Sequence, residues 1–417
     1  MLINKKEKMW DVIVIGGGAS GLMSATVASA RGLSVLLLDK NKELGQKLKI
    51  TGGGRCNITN NEPDIHKFMS VYGKEAPFLY SPFSVFGVKD TFKFFESKGL
   101  ELVEEARHRV FPVSQKATDV VGLFKRELVK NKVKIENNCV VLSLIKQSRK
   151  IIEVKTNKGN YKAVSFILAT GGLSHKETGS TGDGFNFLRS LGHEVKEPTP
   201  DIVPIEVKED WPKELAGISL SFMKITFFLE GQKQFSKKGK ILFTHFGLSG
   251  PLILNSAKLI KPLLKRGQVT AEIDLYPDTT IGGLEDQIIK KLDLNKNKIL
   301  KNVLVEIVPE GLSDAVGRLI GFVNLDTKVH SLTKEDRGKI VRLLKSLPLS
   351  IVGLMGLDRA VVTDGGVSLK EIDTKTMRSK LYDNLYVTGD LLNISRNSGG
   401  YSLQLCWTTG YIAGISV

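Results

Sequence analysis

The first forty residues of the chain alternate between unbroken apolar runs and segments of small residues. Residues 11–15 and 34–38 are continuous apolar runs, which are typical of strands buried on both faces of a parallel sheet. Residues 16–21 predict a glycine turn between them. Residues 22–31 are rich in Ala and Ser, as a helix packed closely on a sheet requires, and Gly32 ends that helix. The pattern therefore predicts a strand, a turn, a helix and a second strand in succession.

The pattern changes character at the Glu-Pro-Thr-Pro sequence of residues 197–200. From residue 202 to residue 275 short alternating strands dominate, and they predict an antiparallel barrel or sandwich. Residues 284–346 have helical periodicity instead. We expect three helical segments there, separated near Pro309 and Thr327.

The last part of the chain returns to strand-like and small-residue patterns. Residues 347–362 are apolar and strand-like, residues 384–390 predict another buried strand, and residues 403–415 predict a final helix. The simplest architecture is an α/β domain assembled from both ends of the chain, with a β-plus-helical insert. We expect residues 1–197 and 356–417 to form the α/β domain and residues 198–355 to form the insert. Within the insert, we expect residues 198–278 and 347–355 to form the β part and residues 279–346 to form the helical part.

Length and charge modify this picture only in part. At 417 residues the chain exceeds the roughly 100–200 residues of a typical domain, which agrees with more than one folding unit. The net charge of +16 favours anionic partners. The excess is mostly lysine spread along the chain, without the dense block of like charge that marks a nucleic-acid tail. The charge therefore leaves nucleic-acid binding open but does not favour it.

The sequence favours a reducing compartment. Its three cysteines form no CxxC pair and leave one over, which excludes a disulfide framework. Residues 1–8 carry charge but lack the apolar core of a signal peptide, and no apolar run approaches the roughly 18–20 residues of a membrane span. We therefore expect a cytoplasmic protein with no membrane partner. The six histidines show no metal-ligand spacing, so we expect no metal site, and the oligomeric state is undetermined.

The turn at residues 16–21 matches the pattern GxGxxG. It follows a predicted strand, opens a helix, and is followed by an acid, Asp39, at the end of the next strand, which is the context of a dinucleotide site. Gly16 permits the tight turn, Gly18 lets backbone approach a diphosphate, and Gly21 lets the helix pack on the strand. The helix N-terminus favours the diphosphate, and Asp39 is expected to bind ribose hydroxyls. The alternative is a plain turn with a surface acid.

The fingerprint fits both FAD and NAD, and two features favour FAD. The chain has no second GxGxxG, so only one dinucleotide is held by a turn of this kind. Asp390 ends a late buried strand, where it is well placed to hydrogen-bond a ribityl chain. Residues 399–402 then open a helix whose N-terminus would face the N1–C2=O edge of a flavin, where negative charge accumulates on reduction. The alternative is a loop followed by a capped helix.

Two further glycine-rich segments are expected beside the cofactor. Residues 51–60 read Thr-Gly-Gly-Gly-Arg-Cys-Asn-Ile-Thr-Asn, in which the glycines let amides approach a flat ring and Asn57 offers both a donor and an acceptor. Cys56 is either a redox thiol or, as we prefer in the absence of a CxxC partner, a small packing residue. Residues 166–172 are a buried strand that ends in Gly-Gly close to the cofactor.

His245 is the other candidate for a catalytic residue. It precedes Gly-Leu-Ser-Gly-Pro, which is not a nucleophile elbow because GxSxG requires glycine at residue 251. His245 could act as an acid or base toward the substrate, although an isolated histidine is more often structural. The catalytic residue is otherwise undetermined, with His245 and Cys56 as the candidates.

These motifs resemble those of bacterial FAD-binding oxidoreductases that include aminoacetone oxidase and a flavin-dependent bile-acid reductase. The resemblance covers nearly the whole chain and rests on GxGxxG, on the GGGRCN segment, and on residues 109–112, 179–184, 244–251, 362–367, 376–380 and 388–401. It implies an α/β fold in which residues 1–197 and 356–417 form a Rossmann-like FAD-binding domain, with an inserted β-barrel and a small helical subdomain.

The resemblance and the motifs together imply a set of residues that contact FAD. They are Gly16, Gly18, Ala19, Ser20, Gly21, Asp39, Lys40, Lys47, Gly53, Gly54, Arg55, Cys56, Asn57, Val141, Ala169, Thr170, Gly171, Gly389, Asp390, Gly400, Tyr401 and Ser402. The family usually has Glu in place of Asp39 and Asp390, and it differs at Asn393, Arg396 and Ser402. These positions lie by the flavin in the family, so the substrate of a relative does not transfer to this chain.

We therefore expect a FAD-dependent oxidoreductase that transfers hydride between the flavin and a small organic substrate bound between the FAD domain and the insert. It would be an oxidase or an NAD(P)H-dependent reductase. Without a second dinucleotide motif, NAD(P)H would bind only transiently as the reductant. Two alternatives stay open: an RNA-associated flavoprotein of the tRNA-modifying type, and a flavin-binding protein without turnover.

Overall fold

The computed structural model describes residues 8–321 and 323–417, and these residues divide into two units. The first unit runs to Asp201 and resumes from Leu357 to Val417, and the second is Ile202–Gly356. Residues 1–7, on which the expectation of no signal peptide mainly rests, lie outside the described residues.

The strands are numbered along the chain and occur in both units. They are β1 (Met9–Ile15), β2 (Val35–Leu38), β3 (Thr59–Asn60), β4 (Leu102–Glu105), β5 (Arg109–Pro112), β6 (Lys134–Glu136), β7 (Val141–Gln147), β8 (Lys150–Thr156), β9 (Gly159–Leu168), β10 (Val195–Asp201), β11 (Ile205–Val207), β12 (Ser219–Leu229), β13 (Gln232–Thr244), β14 (Gly247–Ser249), β15 (Val269–Asp274), β16 (Leu347–Leu354), β17 (Val362–Val367) and β18 (Leu385–Val387).

The α-helices are numbered in the same way. They are α1 (Ala19–Ala30), α2 (Gln46–Ile50), α3 (Ile65–Ser70), α4 (Ala76–Val85), α5 (Val88–Glu96), α6 (Ala117–Lys130), α7 (Asp183–Ser190), α8 (Trp211–Glu214), α9 (Pro251–Leu254), α10 (Ala257–Leu264), α11 (Ile281–Leu294), α12 (Leu300–Ile307), α13 (Ser313–Leu319), α14 (Lys334–Lys345) and α15 (Tyr401–Ser416).

The first unit is built on parallel strands in the order β6-β2-β1-β9-β18. All residues of β2 and the last four of β1 are buried, as the continuous apolar runs predicted. The chain leaves β1 for β2 on one side and later returns to β9 on the other. Such a reversal opens a crevice at the carboxyl ends of the strands. The expected α/β fold with a Rossmann-type sheet is confirmed.

Helices α1 and α15 come from opposite ends of the chain and pack against each other. The contact is so close that a Cβ on Gly414 would lie 2.8 Å from the Cβ of Val27. Every residue of α1 from Ser20 to Ser29 is buried. The small residues of both helices are thus required by their packing, and α15 joins the C-terminal segment to the N-terminal sheet.

The second unit contains a closed antiparallel barrel of β11-β14-β13-β12-β15-β16. Alternate residues of β12, among them Ile225 and Phe227, are fully buried in its core, whereas Lys224 and Thr226 are only half-buried. Closure leaves no strand edge to pair with another chain. The alternating pattern allowed a barrel or a sandwich, and the structure has the barrel.

The expectation of three helical segments in the insert is wrong, because four α-helices, α11 to α14, form there among the described residues. The missed break follows α11, whose C-cap is Asn295. The Asn-Lys-Asn-Lys sequence of residues 295–298 is polar, so it fits an exposed helix face as well as a turn. Its sequence pattern alone did not separate the two.

Residues 195–201 belong to the first unit, whereas the expected boundary was at residues 197 and 198. The reason is that β10 pairs with β17, with Asp201 opposite Val362. The Pro-rich segment that marks the change of pattern is therefore itself a strand. In the described part of the chain, no helix is long and apolar enough to cross a membrane.

Candidate functional site

A cavity opens in the first unit where β1, β2 and β9 end, at the reversal of strand order. Its wall includes the last residue of β1, Ile15, the last residue of β2, Leu38, and Ala169 directly after β9. The cavity holds about 1150 Å³, counted to its open mouth. Its lining extends from the glycine turn at Gly16 to Asp390 and Ser402, so the cavity is elongated across the ends of the strands.

The glycine turn forms one wall of the cavity, and its three motif glycines differ in what surrounds them. Gly16 has φ +106°, and a Cβ there would lie 2.5 Å from the carbonyl oxygen of Ala169. A Cβ on Gly21 would overlap the carbonyl oxygen of Gly16. At Gly18, by contrast, no described residue other than its chain neighbours places a heavy atom within 4 Å of a Cβ, and Gly18 lines the cavity. The fold therefore requires glycine at residues 16 and 21, whereas Gly18 leaves space for a ligand.

Asp39 is held by the turn that it faces. One carboxylate oxygen accepts a hydrogen bond from the Gly17 N–H at 2.6 Å, and the other accepts from the Asn41 N–H at 2.7 Å. The side chain is buried, and this burial raises the pKa of Asp39 although the hydrogen bonds act in the opposite direction. Each oxygen keeps a lone pair, so the carboxylate can accept bonds from ligand hydroxyls.

The loop after β9 closes the same side of the cavity. Lys40 forms an ion pair with Asp183 at 2.6 Å, and the Asn41 amide donates to the carbonyl of Thr178 at 3.0 Å. The hydroxyl of Thr170 lies in the wall and is buried, yet it has no hydrogen-bond partner among the described residues. A buried hydroxyl is costly when unpaired, so a polar partner for this atom would stabilise the site.

At the other end of the cavity, two cations face one carboxylate. Asp390 accepts a hydrogen bond from the fully buried Arg396, and its second oxygen lies 3.6 Å from the Lys47 amine. Burial opposes ionisation of Asp390, but the charges of Arg396 and Lys47 outweigh it and lower the pKa of this carboxyl. Lys47 also donates to the Ser174 hydroxyl at 2.5 Å. Asp390 is therefore ionised at neutral pH.

Helix α15 begins beside this charged group. Its second and third residues, Ser402 and Leu403, line the cavity, and its first turn holds no acid. The Ser402 hydroxyl accepts a hydrogen bond from Nε of Arg396 at 3.0 Å. The positive end of the helix dipole and the Arg396 charge therefore lie at the same end of the cavity.

The GGGRCN segment has a different environment from the one expected. Only Thr51 of this segment lines the cavity, and Gly53 and Gly54 are exposed with left-handed φ values of +68° and +84°. The Arg55 guanidinium donates to Gln115 at 2.6 Å, binds Glu105, and lies 3.9 Å from the centre of the Phe111 ring.

Cys56 and Asn57 of that segment are both held by contacts within the protein. Burial raises the pKa of Cys56 to about 12, so its thiol is protonated at neutral pH. In the orientation that its neighbours require, the Asn57 amide donates to the Thr59 carbonyl at 3.1 Å and accepts from the Gly400 N–H at 3.0 Å. These contacts favour the interpretation of Cys56 as a packing residue, which stays a prediction.

Other predicted residues also lie away from the cavity wall. A Cβ on Gly400 would overlap the backbone of Thr59, and the Tyr401 ring lies 5.3 Å from that of Phe68. His245 is exposed on the turn between β13 and β14 in the second unit, where its ring contacts Phe246. None of these three residues lines the cavity, and the predicted role of each stays a prediction.

The predicted cofactor contacts thus divide into two groups. Those in the wall are Gly16, Gly18, Ala19, Ser20, Asp39, Lys40, Lys47, Val141, Ala169, Thr170, Gly171, Asp390 and Ser402. Those outside it are Gly21, Gly53, Gly54, Arg55, Cys56, Asn57, Gly389, Gly400 and Tyr401. Contact of either group with FAD stays a prediction.

Sequence reasoning missed several residues of the wall, among them Phe187, Val361, Arg396, Leu403 and Cys406. Helical spacing could have found both Leu403 and Cys406 on α15, since Cys406 follows Ser402 by four residues and Leu403 by three. The resemblance placed residue 396 by the flavin, but the burial of Arg396 gave no local signal, because a charged residue in a polar loop is normally exposed.

The residues present fit FAD. Gly18 leaves the space that a Cβ would fill, the Thr170 hydroxyl lacks a partner among the described residues, and Asp39 keeps free lone pairs. The cavity extends from the diphosphate turn to the charged group at Asp390. In the described part of the chain, no group of three or more His, Cys, Asp or Glu side chains could hold a metal ion.

The comparisons with known proteins agree with this geometry. Residues 10–416 match the family model described as the HI0933-like protein Rossmann domain. The 3-dehydro-bile acid delta(4,6)-reductase of Clostridium scindens is 31% identical, over 96% of this chain and 97% of the relative. The ribosomal RNA dihydrouridine synthase of Haemophilus influenzae is 28% identical, over 97% and 98%.

A solved structure shows the same fold. The 3-ketosteroid-Δ4-(5α)-dehydrogenase of Rhodococcus jostii RHA1 superposes with a TM-score of 0.55 over 100% of this chain and 98% of its own, at 14% identity. The resemblance inferred from the motifs is therefore confirmed. The chain belongs to the HI0933-like Rossmann-domain family of FAD-dependent oxidoreductases.

Proposed function

We propose that this FAD-dependent oxidoreductase reduces a carbon–carbon double bond conjugated to a carbonyl group in a small organic substrate, with NAD(P)H as the reductant. One observation carries the proposal: two relatives matched along their whole length have names that describe the same bond change. The delta(4,6) double bonds of a 3-dehydro bile acid are conjugated to its 3-oxo group. Dihydrouridine is uridine whose ring double bond, next to a carbonyl, has been reduced.

The cavity supports this proposal through the groups that it offers to FAD. We assign the diphosphate to the turn at Gly18 and the N-terminus of α1, and the adenosine ribose to Asp39. Asp390 is assigned to the ribityl hydroxyls, and the N-terminus of α15 to the ring edge that gains negative charge. Bound FAD supplies the hydride-transfer chemistry, and the chain supplies position and field.

The reaction adds two hydrogens across the double bond of the substrate. The hydride equivalent would come from NAD(P)H, which is oxidised to NAD(P)+, and a proton from solvent would complete the addition at the carbon next to the carbonyl. Beyond residues 16–21, the sequence contains no GxGxxG motif that could form a second diphosphate turn. NAD(P)H and substrate are therefore expected to occupy the same face of the ring in alternation. The three free cysteines agree with a cytoplasmic location.

A second candidate is reduction of uridine in RNA. It is favoured by the similarity to a ribosomal RNA dihydrouridine synthase, and the net charge of +16 is compatible with it. The chemical step is the same, and only the size and charge of the substrate differ. The small-molecule candidate comes first because the bile-acid reductase is the more similar of the two, at 31% against 28% identity.

The test is anaerobic turnover of the FAD-loaded protein with NADH or NADPH. The substrates are a panel of cyclic enones and 3-oxo-4-ene steroids, and ribosomal RNA in a separate arm. We expect a product that is two hydrogens heavier from at least one enone, and no reaction with the corresponding saturated ketone, which is the matched control. Reaction with RNA alone would favour the second candidate. Oxidation of NAD(P)H without any reduced product would contradict both.

A further inference from the structure

The charged group at Asp390 contains a residue that the predicted set of FAD contacts does not include. Arg396 is 1% exposed and lines the cavity, which is unusual because a fully buried arginine is rare. With Lys47 and Asp390 it forms a group of two positive charges and one negative charge. The group therefore carries a net charge of +1, which the sequence motifs did not predict.

The position of Arg396 is fixed by its hydrogen bonds. Nε donates to the Ser402 hydroxyl at 3.0 Å, Nη1 donates to the Ile394 carbonyl at 2.9 Å, and Nη2 donates to Asp390. These partners lie in the loop before α15 and on α15 itself. Each of the three guanidinium nitrogens is thus bonded, so the charge cannot leave the cavity without leaving buried polar groups unpaired.

The location of this fixed charge matters for the cofactor. A charge in a buried site is screened less than one at the surface, so its effect on a neighbouring group is larger. Reduction of a flavin places negative charge on the ring, and positive charge nearby favours the reduced form. Arg396 lies at the end of the cavity where α15 also directs its positive dipole.

We propose that Arg396 sets the reduction potential of the bound flavin, making it easier to reduce, while Asp390 acts in the opposite direction. This inference rests on the proposed function, because it requires FAD in this cavity. It deepens that function by assigning the step that the chain favours, which is transfer of electrons from the donor to the cofactor. Asp390 binds the cofactor, and Arg396 balances the charge that Asp390 brings into the cavity.

The experiment measures the midpoint potential of the FAD-loaded protein against a reference dye during anaerobic reduction. In Arg396→Gln, the ratio of reduced to oxidised flavin at a fixed potential should fall at least tenfold, which is about 30 mV for two electrons. In Asp390→Asn, the ratio should rise. Arg396→Lys, which keeps the charge, should stay within about threefold of the wild type, or about 15 mV.

A second readout is the affinity for sulfite, which adds to flavins and leaves negative charge on the ring. Sulfite should bind more weakly to Arg396→Gln and more tightly to Asp390→Asn. The matched control is Arg149→Met, which removes an arginine from an exposed pair with Asp383 that does not line the cavity. This control should leave the potential and the sulfite affinity unchanged.

Opposite shifts of the midpoint potential in Arg396→Gln and Asp390→Asn support the inference. If one variant fails to fold, the direction of the shift in the other still tests it. Unchanged potentials, or shifts in the same direction, would overturn it and leave Arg396 as a residue that only positions Asp390. A wild-type protein that binds no FAD would refute the proposed function itself. The two failures are therefore distinguishable.

Discussion

Substitution of Gly18 by valine separates cofactor binding from folding more sharply than any other change in the glycine turn. Gly18 is the N-cap of α1, with φ −80° and ψ −169°, a conformation that other residues adopt without strain. Apart from its chain neighbours, no residue places a heavy atom within 4 Å of its Cβ position among the described residues, and Gly18 lines the cavity. The new Cβ therefore has room in the protein, and the side chain enters the space assigned to the diphosphate.

The magnitudes follow from this geometry. Loss of a favoured N-cap residue costs about 0.5–1 kcal/mol, and the reduced freedom of the unfolded chain returns about 0.4–1 kcal/mol. The free energy of unfolding of the apo-protein should therefore change by less than about 1 kcal/mol. A displaced diphosphate loses roughly two charge-assisted hydrogen bonds of about 1.5–3 kcal/mol each, so FAD affinity should fall roughly a hundred- to ten-thousandfold.

The assay is FAD titration of the apo-protein by fluorescence quenching, together with urea unfolding of the apo form. Gly21→Ala is the contrasting control, because its Cβ would overlap the carbonyl oxygen of Gly16 and destabilise the fold. Gly32→Ala, with φ +86° and open space at the end of α1, should lose some stability but keep FAD. Stoichiometric FAD bound with wild-type affinity by Gly18→Val would refute the assignment of the diphosphate to this turn.

Three further predictions concern Asp390, the insert and Cys56. Asp390→Ala should weaken FAD roughly ten- to a hundredfold and Asp390→Asn less, by titration. Because the folded pKa of Asp390 is lowered, its ionised form adds stability above the unfolded pKa of about 3.9, and the difference in unfolding free energy between wild type and Asp390→Asn should shrink as pH falls through the folded value. Replacing residues 202–356 by a short linker should leave a unit that folds and retains FAD, since Asp201 pairs with Val362; a linker protein that refolds without flavin would contradict this. Native Cys56 should resist alkylation at neutral pH because burial raises its pKa to about 12, and rapid modification measured by mass spectrometry would favour the redox alternative.

The sequence predicted those parts of the fold that depend on local pattern. The buried runs of β1 and β2, the turn at Gly16 and the small-residue helix α15 were all visible, because each is dictated by its own neighbours in the sheet or helix pair. The predicted start of the insert, residue 198, precedes the start of the second unit at Ile202. The reason is that β10 carries two prolines and gains its strand pairing from β17, far along the chain. Pairing over such a distance leaves no local signal.

The same distinction applies to the candidate site. Asp39 and Gly18 could be predicted because a short motif fixes their place at a strand end. The burial of Arg396 could not be predicted, since it depends on contacts with Asp390 and Ser402 that only the folded chain provides. The GGGRCN segment shows the converse, because a distinctive sequence led to an exposed loop and a buried thiol, with only Thr51 in the cavity wall.

The most direct test of the account is a single-turnover experiment in anaerobic stopped flow. The FAD-loaded protein is reduced with one equivalent of NADPH or NADH, and is then mixed with an enone identified in the panel. We predict that the absorbance of oxidised flavin returns in proportion to the enone added, and that the product is two hydrogens heavier. Flavin that stays reduced with every conjugated carbonyl compound and with RNA, and is oxidised only by oxygen, would contradict the proposed reaction.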